Sequence, residues 1–227
     1  MAQLPWLSLL VFFPLAAAIL VAIMPANAHK PIRLWATLAA LAEFVFSLPL
    51  WWRVIPGQAG FQFEEKLDWI PVLGAQYHLG VDGVSGLLAL LTTFTTLIAV
   101  IGAWTAVEKR SREFFALVLA LEAGMLGTFF CLDLLLFYVF WEAMLIPMYL
   151  LIGVWGGQRR VYAAVKFFLY TMAGSVLMLV AILSLWFLQK QYSGVPSFDL
   201  QAFYHLPLAP SHQLWMFLAF AFAFAIK

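Results

Sequence analysis

LLLFYVFWEAMLIPMYLLIGVW, the stretch from Leu134 to Trp155, has 22 residues and one charged side chain, Glu142. A helix of that length rises about 33 Å, enough to cross a hydrocarbon core roughly 30 Å thick. Glu142 would then lie about 12 Å from the start of the helix, close to the membrane midplane. An acid at that depth costs from about 2.5 to more than 10 kcal/mol unless it is protonated or paired. We therefore treat Glu142 as a candidate functional residue.

The composition places the whole chain in a membrane. Of its 227 residues, 65% are hydrophobic and only 10% are charged, and the mean hydropathy is +0.97. Soluble domains carry about 25% charged residues. The net charge of +1 comes without a basic cluster, so no nucleic-acid partner is expected. The single cysteine, Cys131, excludes an internal disulfide and a cysteine-based metal cluster, and the four histidines show no metal-ligand spacing.

The first apolar run could be either a cleaved signal peptide or a membrane span. Residues 26–28, Ala-Asn-Ala, resemble a small-residue cleavage site, but no Lys or Arg precedes Lys30. The run from Leu4 to Met24 is also longer than the apolar region of a signal peptide, which typically has about 7–15 residues. We therefore expect the run to be retained as the first transmembrane helix.

Apolar runs separated by polar or Pro/Gly breaks predict an all-α, polytopic bundle of about seven spans. The predicted spans are 4–24, 32–54, 84–107, 114–131, 134–155, 161–188 and 213 to Lys227. The longest polar interruption, 55–83, contains aromatic residues, and we expect it to lie along the membrane surface. The last span has risen only about 21 Å at Lys227, so we expect a longer protein.

The distribution of basic residues predicts the orientation. The loops after spans one, three and five hold seven of them: Lys30, Arg33, Lys109, Arg110, Arg112, Arg159 and Arg160. The remaining loops hold three: Arg53, Lys66 and Lys190. Since basic loops stay in the cytoplasm, the N-terminus is predicted to lie outside.

Besides Glu142, four charged residues fall in the interior of the predicted spans, away from their ends: Glu43, Glu122, Lys166 and Lys227. Glu43 and Glu122 could be functional or could simply form interhelical hydrogen bonds, and Lys166 could reach the headgroups through its long side chain. Lys227 lies about 20 Å into its helix, where its side chain reaches the headgroups less easily. An acid on one span and an amine on another can offset each other's desolvation, which is also what a proton relay requires.

Three further residues have structural interpretations. Asp82 precedes span three and Asp133 precedes span five, where aspartate commonly caps a helix N-terminus. Pro147 lies five residues after Glu142 and should kink that helix or free a carbonyl, as is common near polar sites in membranes.

These residues together resemble the antiporter-like membrane subunits of the proton-translocating NADH–quinone oxidoreductase (respiratory complex I), in particular the chain M or subunit four type. The resemblance covers the whole chain, and its most specific part is the stretch from Asp133 to Tyr149. The other motifs are LGVDGVS at 79–85, REFF at 112–115, LEAGM at 121–125, KFFLYTMAGS at 166–175 and the closing FAIK.

The resemblance implies a fold of about fourteen spans with two inverted repeats, of which this chain corresponds to the N-terminal half. Residues 1–111 would form three helices with the surface loop, and 112–227 the first part of a proton-channel repeat, which ends during its fourth helix. The resemblance assigns Glu142 and Lys227 to a proton relay, with weaker roles for Lys166 and Glu122.

The resemblance also implies where this chain would work. Its partners would be the lipid bilayer and the other membrane-arm subunits of the complex, including neighbouring antiporter-like subunits, in a bacterial inner membrane. No cofactor or metal is expected in this chain, because it has no nucleotide loop, flavin motif or iron–sulfur ligand set. NADH, FMN, iron–sulfur clusters and quinone would be bound by partner subunits.

Two alternatives remain open on the sequence. The same fold serves multisubunit cation/proton antiporters and membrane-bound hydrogenases, and co-purification with quinone-linked redox subunits would separate these cases. Alternatively, the buried charges only fix helix packing in a scaffold. In that case, charge-neutral substitutions would change assembly but not pumping per assembled complex.

Overall fold

The structure, a computed structural model, describes residues 5–55, 57–58 and 60–227. Leu4, where the first predicted span begins, and Pro56 and Ala59 of the predicted surface loop lie outside the described residues.

The described residues form ten α-helices, a two-stranded sheet and one 3-10 turn, which connects the strands at Pro71–Leu73. The helices are α1 (Trp6–Ile23), α2 (His29–Ser47), α3 (Pro49–Arg53), α4 (Gly83–Ala106), α5 (Ser111–Phe130), α6 (Leu134–Ala143), α7 (Leu145–Trp155), α8 (Arg160–Ser193), α9 (Leu200–Phe203) and α10 (Pro210–Ile226). The strands are β1 (Gln62–Ile70) and β2 (Ala75–Val81).

The predicted polytopic helical fold is confirmed. Within the described residues, six helical segments are long and apolar enough to cross a membrane, and Pro210–Ile226 is a shorter apolar helix at the seventh predicted span. Two of the six segments, His29–Arg53 and Leu134–Trp155, each contain two consecutive helices. The sixth segment, α8, has 34 residues and continues to Ser193, five residues beyond the predicted end of the span at 188.

The polar interruption at 55–83 was expected as a surface loop, but much of it forms a β-hairpin. Strands β1 and β2 pair, and Gly74 ends the short connection in a left-handed conformation, φ 66°. A Cβ at Gly74 would lie 1.9 Å from the Pro196 carbonyl oxygen, so the close approach of these two backbones requires glycine. The sequence did not suggest strands because β1 carries charged residues, which are depleted in strands: Glu64, Glu65, Lys66 and Asp68.

The first compact unit comprises Met1–Glu65 and Leu79–Phe130. In it, α1 packs against α2 and α5, and α4 packs against both α2 and α5. Small buried residues line these contacts, among them Ala36, Ala40 and Ala89, each 0% exposed. Small side chains allow helix backbones to approach closely, which is how membrane helices associate without a hydrophobic driving force.

The second compact unit comprises Lys66–His78 and Cys131–Lys227. Its long helix α8 packs against α6, α7 and α10. Apart from Lys66–His78, these units divide after Phe130, whereas the channel repeat, which stays a prediction, would begin at Arg112. The difference arises because α5, which begins at Ser111, packs against α1, α2 and α4 of the first unit.

Candidate functional site

The fifth predicted span, which contains Glu142, is broken in its middle. Helix α6 ends at Ala143, Met144 joins the two helices, and α7 begins at Leu145. Pro147 explains the position of the break, because its ring clashes with the carbonyl four residues earlier, at Ala143, and it has no N–H to donate there. Carbonyls in the turn before such a break are available to partners outside the helix.

Helix α10 brings Lys227 to this break by packing closely against α8. Gly174 of α8 makes the close packing possible, because a Cβ there would lie 3.1–3.2 Å from three side-chain atoms of Ile226. Ile226 is the last residue of α10 and directly precedes Lys227. The packing of two helices therefore determines the depth at which the lysine enters the site.

Lys227 is held by Trp141, the residue before Glu142. Its Nζ donates a hydrogen bond to the Trp141 backbone carbonyl and lies 4.0 Å from the centroid of the Trp141 ring. The ring is fixed in turn, since Trp141 Nε1 donates to Ser175 Oγ at 3.2 Å and the ring packs edge-on against Phe224 at 5.4 Å. A carbonyl and an aromatic face both stabilise an ammonium ion without supplying a negative charge.

Glu142 lies beside this arrangement but makes no direct contact with the amine. Its side chain is half-buried, and its Oε1 atom is buried without a hydrogen-bond partner among the described residues. It is close enough to Lys227 to interact with it electrostatically, yet the described part of the chain has no ion pair within 4.0 Å between them. The two predicted relay residues therefore share one site in an open arrangement.

The two weaker candidates lie elsewhere. Lys166 is exposed near the start of α8, with its Nζ 6.0 Å from the Tyr162 ring centroid, and the structure does not bring it to Glu142. Glu122 is fully buried in α5 of the first unit, where Glu43 of α2 is close enough to interact with it electrostatically.

Both aspartates that precede spans cap their helices. Asp82 accepts a hydrogen bond from the Ser85 N–H at 2.7 Å, and Ser85 Oγ accepts one from the Asp82 N–H, which completes a capping box at α4. Asp133 accepts from the N–H groups of Leu135 and Leu136 at 2.9 and 3.0 Å and so caps α6.

Within the second unit, a charged cluster outside the spans holds the part of the hairpin from Lys66 to His78. Asp199 Oδ2 lies 2.8 Å from Lys66 Nζ and 3.2 Å from His78 Nδ1. Asp133 accepts a further hydrogen bond from the Gln76 N–H at 2.8 Å. Three of these side chains, those of His78, Asp133 and Asp199, are buried, so the cluster forms a firm attachment rather than a surface contact.

Burial and hydrogen bonding shift the pKa values of Asp133 and Asp199 in opposite directions. Burial acts to raise the pKa of Asp199, but hydrogen bonds from His78 and Lys66 outweigh it and hold that pKa well below the ordinary value. Burial raises the pKa of Asp133 above its ordinary value, although backbone N–H groups of Gln76, Leu136 and Leu135 favour its charged form.

Three residues of the site are not predicted by the sequence patterns: Trp141, Gly174 and Ser175. Trp141 was recognisable only as the neighbour of Glu142, and Gly174 and Ser175 only as two residues of a motif in span six. Their roles depend on contacts between α6, α8 and α10, which a single helix pattern does not contain.

Comparison with known proteins identifies the segment that holds this site. Residues 131–227 match the family described as NADH:quinone oxidoreductase/Mrp antiporter, TM. That range includes the broken helix α6–α7, the long helix α8 and Lys227.

Two curated relatives are similar to almost the whole chain. NADH-quinone oxidoreductase subunit M of Rhodobacter capsulatus is 43% identical over 232 residues, which cover 97% of this chain and 45% of the relative. NAD(P)H-quinone oxidoreductase chain 4 1 of Picosynechococcus sp. is 40% identical over 227 residues, which cover 99% of this chain and 41% of the relative. The chain thus spans less than half the length of either relative.

Solved structures give the same fold. A chain of respiratory complex I from Thermus thermophilus with bound NADH superposes with a TM-score of 0.81 at 33% identity, covering 96% of this chain and 43% of that chain. A chain of the Mrp complex from Dietzia sp. DQ12-45-1b gives a TM-score of 0.78 at 19% identity, covering 96% of this chain and 23% of that chain. The second likeness is one of fold alone.

Proposed function

We propose that this chain acts as a proton-translocating subunit of an NADH–quinone oxidoreductase, because residues 131–227 match the NADH:quinone oxidoreductase/Mrp antiporter family and two relatives are at least 40% identical over almost the whole chain. It would move protons through a relay of Glu142 and Lys227 and would carry out no redox chemistry itself. Partner subunits would bind NADH, FMN, iron–sulfur clusters and quinone, and electron transfer among them would drive the relay.

The observation that carries this proposal is the position of the Lys227 ammonium on the Trp141 carbonyl, beside Glu142 but not paired with it. An ammonium stabilised by a neutral carbonyl and an aromatic ring does not need the Glu142 carboxylate as a partner. The Lys227 ammonium can therefore occupy two positions, one bonded to the Trp141 carbonyl and one paired with the Glu142 carboxylate. A relay needs such alternatives, because proton transfer requires the charge environment of the amine to change.

The proposed cycle uses these two arrangements. When Glu142 and Lys227 form an ion pair, each stabilises the charged form of the other. When they separate, Lys227 lies on Trp141 and loses its proton towards the next site, and Glu142 takes up a proton from the other side. Moving one charge across 100 mV requires about 2.3 kcal/mol, and charge interactions of that size at buried sites are common.

The placement of the subunit follows the same proposal. The chain would lie in a bacterial inner membrane with its N-terminus outside, beside the other membrane-arm subunits, including antiporter-like ones. The excess of basic residues in the loops after spans one, three and five supports this orientation.

Replacing the acid by its neutral isostere tests the proposal. We expect Glu142→Gln in the intact enzyme to abolish or greatly reduce proton movement driven by NADH oxidation in membrane vesicles, because the amide cannot exchange a proton. Glu108→Gln is the matched control, since Glu108 is exposed in the loop after α4. Normal pumping per assembled complex in the Glu142 variant would remove Glu142 from the relay, and reduced assembly with normal pumping would favour a scaffold.

A cation/proton antiporter is the second candidate. The family includes Mrp antiporters, but the solved Mrp chain is only 19% identical to this chain, whereas both quinone-oxidoreductase relatives are at least 40% identical. Co-purification with quinone-linked redox subunits would support the first candidate, and purification with small membrane subunits only would support antiport.

A further inference from the structure

The first unit contains two buried acids that the proposed relay does not use. We propose that Glu43 of α2 and Glu122 of α5 together form a second proton-binding site, separate from the Glu142–Lys227 site. The side chains are 1% and 0% exposed, and none of their four carboxyl oxygens has a hydrogen-bond partner among the described residues.

The two acids lie at similar depth on neighbouring helices. His29 at the start of α2 contacts Ser111 at the start of α5, with 3.0 Å between Nδ1 and Oγ, so both helices begin at the same level. Glu43 follows His29 by about 21 Å of helix rise, and Glu122 follows Ser111 by about 17 Å. Helices α2 and α5 pack together, and the two side chains interact electrostatically.

Hydroxyl groups of α4 line the same level of the unit. Two hydrogen bonds of 2.8 Å join α2 to α4 on either side of Glu43: Trp104 Nε1 donates to Thr37 Oγ1, and the Ser47 and Thr93 hydroxyls pair. Because α2 and α4 run antiparallel, this register places Thr96 near the level of Glu43. Thr96 is buried near Glu122 without a hydrogen bond between them, so its hydroxyl is available to bond to the acid when the acid carries a proton.

Among the described residues, the basic side chains of the surrounding helices lie at the helix ends, away from this pair. Helices α1 and α4 contain no charged residue, and the Lys and Arg of α2 and α5 lie within the first five residues of each helix: Lys30, Arg33 and Arg112. The Arg33 guanidinium donates to the Val107 carbonyl at 3.0 Å, ten residues of helix before Glu43. Arg53, at the far end of the segment, lies over the Trp6 ring at 5.8 Å.

Physical chemistry then restricts what can neutralise the pair. Two carboxylates at close range in a low-dielectric interior repel each other, and each unpaired charge costs several kcal/mol. Without a base, the remaining means of neutralisation are protons or a bound cation. Protons fit better, because the two acids and nearby hydroxyls provide fewer oxygen ligands than the six to eight that a hard divalent cation takes.

A cavity gives the pair an entrance. It has a volume of about 290 Å³, lies between α1 and α2, and is lined by Glu43 together with Trp6, Leu9, Leu10, Phe13 and Phe46. Glu43 is the single charged group among these lining residues. The other five lining residues are apolar or aromatic, so the cavity gives a hydrophobic reagent access to Glu43.

Labelling with a hydrophobic carbodiimide tests the site in the intact enzyme. The reagent adds to a protonated carboxyl group, whose proton moves to a reagent nitrogen while the carboxyl oxygen bonds to the central carbon, and rearrangement gives a stable N-acylurea. We expect mass spectrometry to find this adduct on Glu43. Glu122→Gln should change the labelling rate at Glu43 by about threefold or more, whereas the exposed control Glu108→Gln should leave it unchanged.

Three results would overturn the proposal. The first is the absence of an adduct on both Glu43 and Glu122. The second is a labelling rate at Glu43 that does not change in Glu122→Gln. The third is protection from labelling by Na⁺ at constant pH, which would assign the pair to cation binding. The same labelling in Glu142→Gln enzyme separates the two proposals. Loss of pumping with labelling retained would show that the two sites act independently.

Discussion

The two compact units bury acids in different ways. In the second unit, Glu142 lies on a helix interrupted at Met144, and an amine from α10 has reached the break. In the first unit, Glu43 and Glu122 lie within the continuous helices α2 and α5, and no basic side chain of the surrounding helices reaches them. If both proposals hold, Glu142 exchanges charge with an amine in one unit, whereas Glu43 and Glu122 are neutralised by bound protons in the other.

This difference indicates that the backbone beside a buried acid determines its possible charge partners as much as the acid itself does. A break in a helix supplies free carbonyls, and a free carbonyl can hold an ammonium ion while its carboxylate partner is released. A continuous helix offers no such acceptor, so its acids depend on side-chain hydroxyls alone. We therefore expect charge exchange in the second unit and storage of protons in the first.

A substitution that restores a continuous helix at the break should cause the largest loss of proton pumping. Pro147→Ala removes the ring that clashes at Ala143 and restores an N–H, so α6 and α7 should join and take up the Trp141 carbonyl. Loss of a hydrogen bond to a charged group costs about 1.5–3 kcal/mol, which corresponds to about a tenfold or larger loss of the Lys227 arrangement. We expect proton movement per NADH oxidised to fall strongly.

Pro14→Ala is the matched control for that experiment. Pro14 also lies inside an apolar helix, α1, but belongs to the first unit, remote in sequence from the relay. It should leave pumping unchanged. Equal losses in both variants would mean that proline in general, and not the break beside Glu142, accounts for the effect.

Removing the charged attachment of the hairpin should have the second largest effect, a loss of thermal stability. Asp199→Asn removes the charge that binds Lys66 and His78, and the expected cost is about 1.5–3 kcal/mol because these bonds involve charged groups. Glu65→Gln is the comparison in the first unit, where Glu65 accepts from the Leu7 N–H at 2.7 Å and the Ser8 N–H at 3.1 Å. The amide keeps one oxygen that can accept from one of these two N–H groups, and both donors are neutral, so we expect a smaller loss of thermal stability.

The pH dependence of this attachment follows from the direction of the Asp199 shift. Because its pKa is lowered in the folded protein, its contribution is present above the ordinary value of about 3.9 and is lost as pH falls through the folded value. The stability difference between wild type and Asp199→Asn should therefore not shrink between about pH 7 and about pH 5. A difference that disappears in this range would contradict the assigned ion pairs.

The smallest effect is expected from Ser47→Ala. The variant removes the buried 2.8 Å hydrogen bond between Ser47 and Thr93, and such bonds between membrane helices are worth about 0.6 kcal/mol on average. Thr95→Val is the control, since within the described residues the Thr95 hydroxyl bonds to carbonyls of its own helix, Leu91 and Thr92. Pumping should stay within about twofold of wild type in both variants, and a larger loss in Ser47→Ala would tie the first unit to the relay.

The sequence was informative where a pattern within one helix determines the structure. The spans followed from the lengths of apolar runs, because a helix must satisfy its own backbone groups in lipid. Asp82 and Asp133 were recognisable as caps from their positions before α4 and α6. Pro147 predicted a disturbance near Glu142, and the break at Met144 agrees with that expectation.

The rest depended on contacts that span different helices. The hairpin at 62–81 was missed because β1 is mostly exposed and charged, so its pairing with β2 left no alternating pattern. The part of Trp141 in holding Lys227 requires the close approach of α10 to Gly174, which follows from packing and not from a local motif. The pairing of Glu43 with Glu122 likewise appears only once α2 and α5 lie side by side.

The ratio of protons moved to electrons transferred in enzyme carrying Lys227→Arg tests the central claim most directly. Arginine keeps the positive charge and can still bond to the Trp141 carbonyl, but its guanidinium does not release a proton in proteins. If the relay works by proton release from Lys227, the ratio should fall by as much as we expect for Glu142→Gln. A wild-type ratio in the arginine variant would show that only the fixed charge is needed, and would contradict the relay.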